Sequence, residues 1–279
     1  MGRMDNKVAF VTGVARGQGR SHCLTLAREG AKIIGIDLCH SLDKVAYPLG
    51  TEEDLAETDR LIKEIGGEAV LLQADTRNRS QLQAAVQAGL ERFGQIDAVV
   101  ASAGVWTWGE ARDLPEDEWQ FALDMNLTGA FNTAQAALPS MIDRGQGGSI
   151  MFTSSQLALR GCPQAVAYSA AKGGLVGMMR ALASELAPHQ IRVNTIHPST
   201  VATDMVLNQP TYDLFAPHKN GEATVDDLHE SMRAFHMLPI PLIESQDISN
   251  AVLYLASDES RALTSVVLPV DAGSTQKLG

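Results

Sequence analysis

The sequence is short of three things. It holds three cysteines, Cys23, Cys39 and Cys162, scattered singly, with no Cys-x-x-Cys or Cys/His ligand spacing. That argues against a disulfide framework or a zinc site and suits incidental thiols in a reducing cytoplasm. Basic residues are outnumbered, 22 Lys and Arg against 33 Asp and Glu, for a formal charge of -11. Such a balance argues against nucleic acid or an anionic membrane surface as the main partner. No apolar run approaches the roughly 18 residues of a membrane span, and the N-terminus lacks a signal-peptide pattern. His197, His218, His229 and His236 make no metal-ligand spacing, so no metal is expected.

What is present is an ordinary globular composition: 279 residues, 45% hydrophobic and 20% charged. Apolar runs rich in branched residues at 7–12, 31–37, 69–73, 96–100, 149–153, 191–196 and 265–270 read as buried strands. Helical patterns fill the intervals: from a glycine-rich turn to Gly30, then 52–65, 80–93, from Pro115 to about Arg144, 165–187 and 245–256. Asp113 is a candidate cap for the helix at Pro115, and Pro139 a candidate bend. Residues 199–241, with Pro210, Pro217, Pro239 and Pro241, read as irregular with short helices. Alternating strands and helices imply right-handed crossovers and a parallel sheet covered on both faces. With no linker or repeat, residues 1–279 are expected to form one doubly wound, Rossmann-like α/β domain.

The turn after the first strand carries Gly13, Arg16, Gly17, Gln18 and Gly19. Glycines there let backbone approach a pyrophosphate seated on the positive end of a helix. Alone this is a weak signal, but Asp37 ends the second strand about twenty residues on, where an acid binds a ribose hydroxyl. Asp37, with Leu38 beside it, therefore argues for NAD, because the carboxylate would repel a 2′-phosphate. Arg16 pulls the other way, since a base in the turn can pair with that phosphate. Asp37 weighs more: its strand-end position fixes it, while Arg16 is free to face solvent. The bland alternative is a capping or turn aspartate.

Tyr168 and Lys172 lie four apart, on one face of a helix. There the ammonium would lower the phenol from its usual pKa of about 10, making it an acid or base near neutral pH. Taken alone the pair proves nothing, since Tyr and Lys stand four apart on many solvated helices.

Its company is more specific. Thr12-Gly13-x-x-x-Gly17-x-Gly19, Asp75, Ala101-Ser102-Ala103-Gly104, Asn126, Ser155, Tyr168-x-x-x-Lys172 and Pro198 resemble, in order, the motifs of the short-chain dehydrogenase/reductase family. The resemblance covers nearly the whole chain and implies a seven-stranded sheet and a homotetramer. It also implies Tyr168 as acid/base, Lys172 holding phenolate and ribose, Ser155 bonding the substrate oxygen and Asn126 anchoring a proton-relay water. Asp75 and Thr76 would sit at the adenine, Ser102, Ala103 and Gly104 along the ribose side, and Val201 and Thr203 at the carboxamide. Ser102 stands where the family usually has Asn, and Ser199 where it has Gly. The bland alternatives are a turn serine at Ser155, a satisfied mid-helix Asn126 and a core phenol at Tyr168.

Residues 38–51 are an insertion in a loop that usually spans about 2–6 residues. It could fold over the cofactor or be a tolerated surface loop. Its wording resembles the mycofactocin-coupled, carveol dehydrogenase-like branch, which implies NAD that does not exchange and is reoxidised in place by a redox peptide cofactor. Residues 199–241 fall where the family has its substrate lid. Met205, Leu207, Leu214, Phe215, Met232, Phe235, Met237 and Leu238 make it apolar, with Trp106, Trp108 and Leu157 expected opposite. An apolar secondary alcohol, or its ketone, is the expected substrate. Two other readings stand beside this one. One is an ordinary NAD-dependent alcohol dehydrogenase or ketone reductase, such as a 3-oxoacyl reductase, with exchangeable cofactor. The other is a non-catalytic nucleotide-binding sensor.

Overall fold

Each of the seven apolar runs becomes a strand in the computed structural model, which describes residues 2–277. They are β1 (Val8–Thr12), β2 (Lys32–Asp37), β3 (Ala69–Gln73), β4 (Ala98–Ala101), β5 (Gly148–Thr153), β6 (Ile191–Pro198) and β7 (Val267–Val270). All pair in parallel in the order β3-β2-β1-β4-β5-β6-β7. The order reverses between β1 and β4, and the crevice beyond the carboxyl ends of those strands is where such sheets take ligands.

The helices are α1 (Gly17–Arg28), α2 (Glu52–Glu64), α3 (Arg79–Phe93), α4 (Glu116–Leu123), α5 (Gly129–Arg144), α6 (Val166–Leu186), α7 (Gln209–Phe215), α8 (Val225–Phe235) and α9 (Ser245–Ala256). Strand periodicity sorts them into two layers. On β1, Val8 and Phe10 point into a core shared with Leu82 of α3, Ala134 and Met141 of α5, and Met179 of α6. Ala9 and Val11 point the other way, to Leu26 of α1, Ile62 of α2 and Val252 of α9. Burying a side chain as large as Phe10 stabilises the sheet by about 1.5–3 kcal/mol.

Helix ends follow local chemistry. Asn78 caps α3 through Ser80 N and Gln81 N, and Gly94 closes it at φ +79°. Thr51 and Asp54 form a reciprocal capping box at α2.

Two expectations need correction. Asp113 does not cap α4: Pro115 is the residue before its first turn, and the Asp113 carboxylate pairs with Arg112. The run expected as one helix is instead interrupted at Asp124–Thr128, which adopts π geometry, and resumes as α5, which contains Pro139. The cause is Asn126. Its Nδ2 donates to Ala122 O at 3.0 Å, taking the acceptor its own backbone N–H would use in an α-helix.

Candidate active site

One continuous cleft crosses the carboxyl ends of the strands. At one end it is lined by the turn after β1, by Asp37, Leu38, Asp75 and Thr76, and by Leu49 and Gly50 of the insertion. At the other it is lined by Ser155, Tyr168, Lys172, Leu157 and the lid. Gln18, Ser102, Gly104, Thr203 and Met205 border both ends.

The first end is built from backbone. Gly13 sits at φ +80°, and an added Cβ would stand 3.0 Å from Ala103 Cα. A Cβ on Gly19 would stand 1.9 Å from Gly13 O, so only glycine allows the turn to fold onto α1. Arg16 precedes α1 without capping it by a side chain, leaving first-turn N–H groups for an anion. Asp37 Oδ2 accepts Ala15 N at 2.9 Å and Oδ1 accepts Cys39 N at 3.2 Å, which fixes the carboxylate between turn and insertion. Arg16 does not simply face solvent. Its guanidinium lies 3.0 Å from Asp204 and also bonds Pro48 O, so it reaches from the turn to both the insertion and the segment after β6. At Asp75, burial pushes the carboxyl up, but hydrogen bonds from Arg77 outweigh it and hold the group below its ordinary range. Thr76 Oγ1 lies where a Cβ on Gly129 would come within 2.5 Å, so α5 packs closely beneath it.

The second end is built from side chains. The two serines after β5 divide their work: Ser154 Oγ donates to Lys172 O at 2.8 Å and ties α6 to the sheet. Ser155 faces the cleft, where its Oγ accepts Leu157 N at 3.1 Å. Beneath it, His197 bonds Ser155 O through Nδ1 and Thr195 Oγ1 through Nε2, both at 2.8 Å. Burial lowers the pKa of His197, so the ring stays a neutral brace under Ser155. Asn126 is fully buried, its Oδ1 accepting Val105 N at 3.0 Å. A Cβ on Gly104 would meet Asn126 Oδ1 at 2.7 Å and Lys172 Nζ at 3.2 Å, so that glycine keeps open a gap between the two.

The Tyr168–Lys172 pair departs from expectation. Lys172 Nζ donates to Thr153 O at 2.8 Å and lies 5.6 Å from the centre of the Tyr168 ring, over its face. Burial pushes the phenol up to about 12, against a pull downward from the Ser155 hydroxyl. Burial also lowers the Lys172 ammonium to about 8. In the protein alone, burial is the dominant influence on the phenol and holds it above its usual value.

The lid comprises α7 and α8 with their flanking turns. Met205, Phe215, Met232 and Phe235 line the cleft opposite Trp106 and Leu157. Phe215 and Phe235 meet edge to face at 6.5 Å. Met237 and Leu238 instead are 61% and 58% exposed, and Leu207 is exposed as well, so their hydrophobicity does not belong to this pocket. Trp108 backs onto Trp106, with ring centres 5.8 Å apart, rather than facing the lid. Val201 is buried and bridges Ile243, which places Thr203 at the junction of the two ends. Ser199 has a structural use: its hydroxyl bonds His236 Nε2 at 2.7 Å, and His236 Nδ1 bonds Ile240 O. Among the described residues no His, Cys, Asp and Glu cluster could hold a metal, and no helix is long and apolar enough to cross a membrane.

Sequence patterns did not single out Tyr47, His197 or Cys162, all at or beneath the cleft. A buried phenol must find a polar partner, and Tyr47 inside the insertion carried that signal.

Residues 7–212 match the family model described as short chain dehydrogenase. The chain belongs to that family. It is 42% identical to (-)-trans-carveol dehydrogenase of Rhodococcus erythropolis, over 99% of this chain and 100% of that one. The crystal structure of carveol dehydrogenase from Mycobacterium avium in complex with NAD is 47% identical and superposes with a TM-score of 0.97, covering 99% and 100% of the two chains. A short chain dehydrogenase from Mycobacterium paratuberculosis, bound to NAD, is 37% identical with a TM-score of 0.89, over 99% and 100%.

Proposed function

We propose that this chain is an NAD-dependent alcohol dehydrogenase acting on an apolar secondary alcohol of the carveol type. The observation that carries the reading is the single cleft, which joins a glycine turn and fixed Asp37 to Ser155, Tyr168 and Lys172 under an apolar lid. Asp37 keeps lone pairs for ribose hydroxyls and leaves no welcome for a 2′-phosphate, and the first turn of α1 supplies N–H groups for a pyrophosphate.

Ser155 and Tyr168 would hold the alcohol oxygen between them. NAD held by the glycine turn, Asp37 and Lys172 would supply the hydride acceptor for the carbinol carbon, and its positive ring would favour the ionised form of Tyr168, whose phenol burial otherwise pushes up. Tyr168 takes the hydroxyl proton as the carbonyl forms. Lys172 keeps two further N–H donors beyond the one on Thr153, enough for a ribose hydroxyl and a water. The gap at Gly104 between Lys172 and Asn126 gives that water a way to carry the proton off.

The finer reading is that NAD does not exchange and that a mycofactocin-type redox peptide removes the electrons in place. It is supported by the wording of the insertion and by the way Pro48, Leu49 and Gly50 border the nucleotide end, with Arg16 reaching to both Pro48 and Asp204. The working form is a cytoplasmic homotetramer. Gly173 and Gly177 on α6 have no neighbour within 4 Å of an added Cβ, which leaves a face of small residues open to a second copy.

Denaturing the purified protein and identifying the released nucleotide tests this directly. NAD near one per chain, slow exchange with labelled NAD, and turnover only with an artificial electron acceptor are expected. Ready exchange with accumulating free NADH would mean an ordinary dehydrogenase. Bound nucleotide with no turnover of any alcohol would mean a nucleotide-binding sensor.

A further inference from the structure

The insertion does more than border the nucleotide. Val45 and Tyr47 are buried in a small core of their own with Val105 and Met125, packed by Leu42, Leu49 and Trp106. Tyr47 is 3% exposed, and its hydroxyl accepts the backbone N–H of Trp106 at 2.8 Å. The preceding N–H, that of Val105, is given to Asn126 Oδ1. Two successive peptide groups of the chain leaving β4 are thus pinned by side chains, one beside Lys172 and one from the insertion. The Trp106 indole then meets the Tyr168 ring edge to face, with centres 4.8 Å apart and planes at 88°.

From this contact chain we propose that Tyr47 is a positioning residue for the alcohol reaction. By holding the backbone of Trp106 it sets the indole that braces Tyr168 and walls the space for the substrate's carbon skeleton. The inference rests on the dehydrogenase reading above. A hydrogen bond to a loop backbone at this point fixes a large ring one residue away, and a misplacement of that ring transmits to Tyr168 through direct contact. Burial pushes the Tyr47 phenol up, against a downward pull from the Trp106 N–H that it accepts. A ring-bearing alcohol would rest on Trp106 and feel the change, whereas a short acyclic alcohol can reach Tyr168 without it.

The chain has three tryptophans, so replacing Trp108 and Trp119 with Phe leaves Trp106 as the sole emitter. In that background we compare Tyr47→Phe with Val45→Ala, which thins the same core without touching the hydroxyl. For Tyr47→Phe we expect acrylamide to quench Trp106 about threefold more efficiently and kcat/KM for a cyclic secondary alcohol to fall about tenfold, the effect of unpairing one buried N–H. A short acyclic alcohol should change by less than about twofold, the size of a surface effect, with bound nucleotide unaltered. Val45→Ala should leave quenching and the cyclic-to-acyclic ratio as they were. Unchanged Trp106 quenching in Tyr47→Phe, equal losses for both alcohols, or the same shifts in Val45→Ala would each overturn the proposal. If the wild-type chain oxidises no secondary alcohol, the functional reading fails instead, and the quenching comparison still decides whether Tyr47 holds Trp106.

Discussion

At the nucleotide end of the cleft, recognition is written in backbone: three glycines, the first turn of α1 and a carboxylate held by two peptide N–H groups. At the other end it is written in side chains drawn from β5 and the turn after it, α6, the chain after β4, and the lid. The first kind of surface is fixed by short-range rules and tolerates almost no change. The second is assembled from distant segments, and its apolar wall and lid residues, unlike Ser155, Tyr168 and Lys172, can be exchanged for others of similar size. One end therefore sets the cofactor class, and the other adapts to a substrate.

That contrast can be broken in order of expected effect. Gly19→Val places a branched side chain on Gly13 O, and overpacking of about 3 kcal/mol should weaken nucleotide retention at least about a hundredfold. Nucleotide content after gel filtration, with a melting curve to confirm folding, checks this. Phe235→Ala removes one wall of the lid and should raise KM for a bulky apolar alcohol about tenfold while bound nucleotide stays constant. Loss of nucleotide in that variant would erase the division between the two ends. Asp37→Asn removes the charge that rejects a 2′-phosphate, so the preference for NAD over NADP in reconstitution should narrow by about tenfold.

The smallest effect concerns Lys172 in nucleotide-free protein. Its pKa falls from 10.5 to about 8 on folding because burial disfavours the charged form. Between those values the unfolded chain binds the extra proton, so the Lys172 contribution to stability should rise with pH from about 8 towards about 10, opposite in sign to that of the buried thiols, whose pKa values burial raises. Lys172→Met should flatten that slope. A slope unchanged in the variant would show that the ammonium is not held away from water.

The difference between the ends also explains what could be read without coordinates. Gly13, Gly17, Gly19 and Asp37 act through local backbone geometry, so their spacing along the chain carried their meaning. Strands and helices were legible for the same reason, since apolar period and glycine stops are local signals. What escaped was everything decided across the fold. Asn126 breaks its helix by bonding Ala122 O and Val105 N, which no helical periodicity shows. Lys172 was expected to depress the Tyr168 pKa, but its ammonium is drawn to Thr153 O and burial dominates the phenol. Met237 and Leu238 look like pocket residues by composition. Instead their backbone N–H groups bond Ala272 O, and the two side chains stand largely exposed.

The central claim is that Tyr168 takes the proton while NAD held in the cleft takes the hydride. Its most direct test is a single turnover. A cyclic secondary alcohol is added to the purified protein with no nucleotide supplied, and the absorbance of reduced nicotinamide is followed. The account predicts a burst equal to the bound NAD in the wild-type chain and no burst in Tyr168→Phe, with the same nucleotide content in both. A full burst from Tyr168→Phe would contradict it.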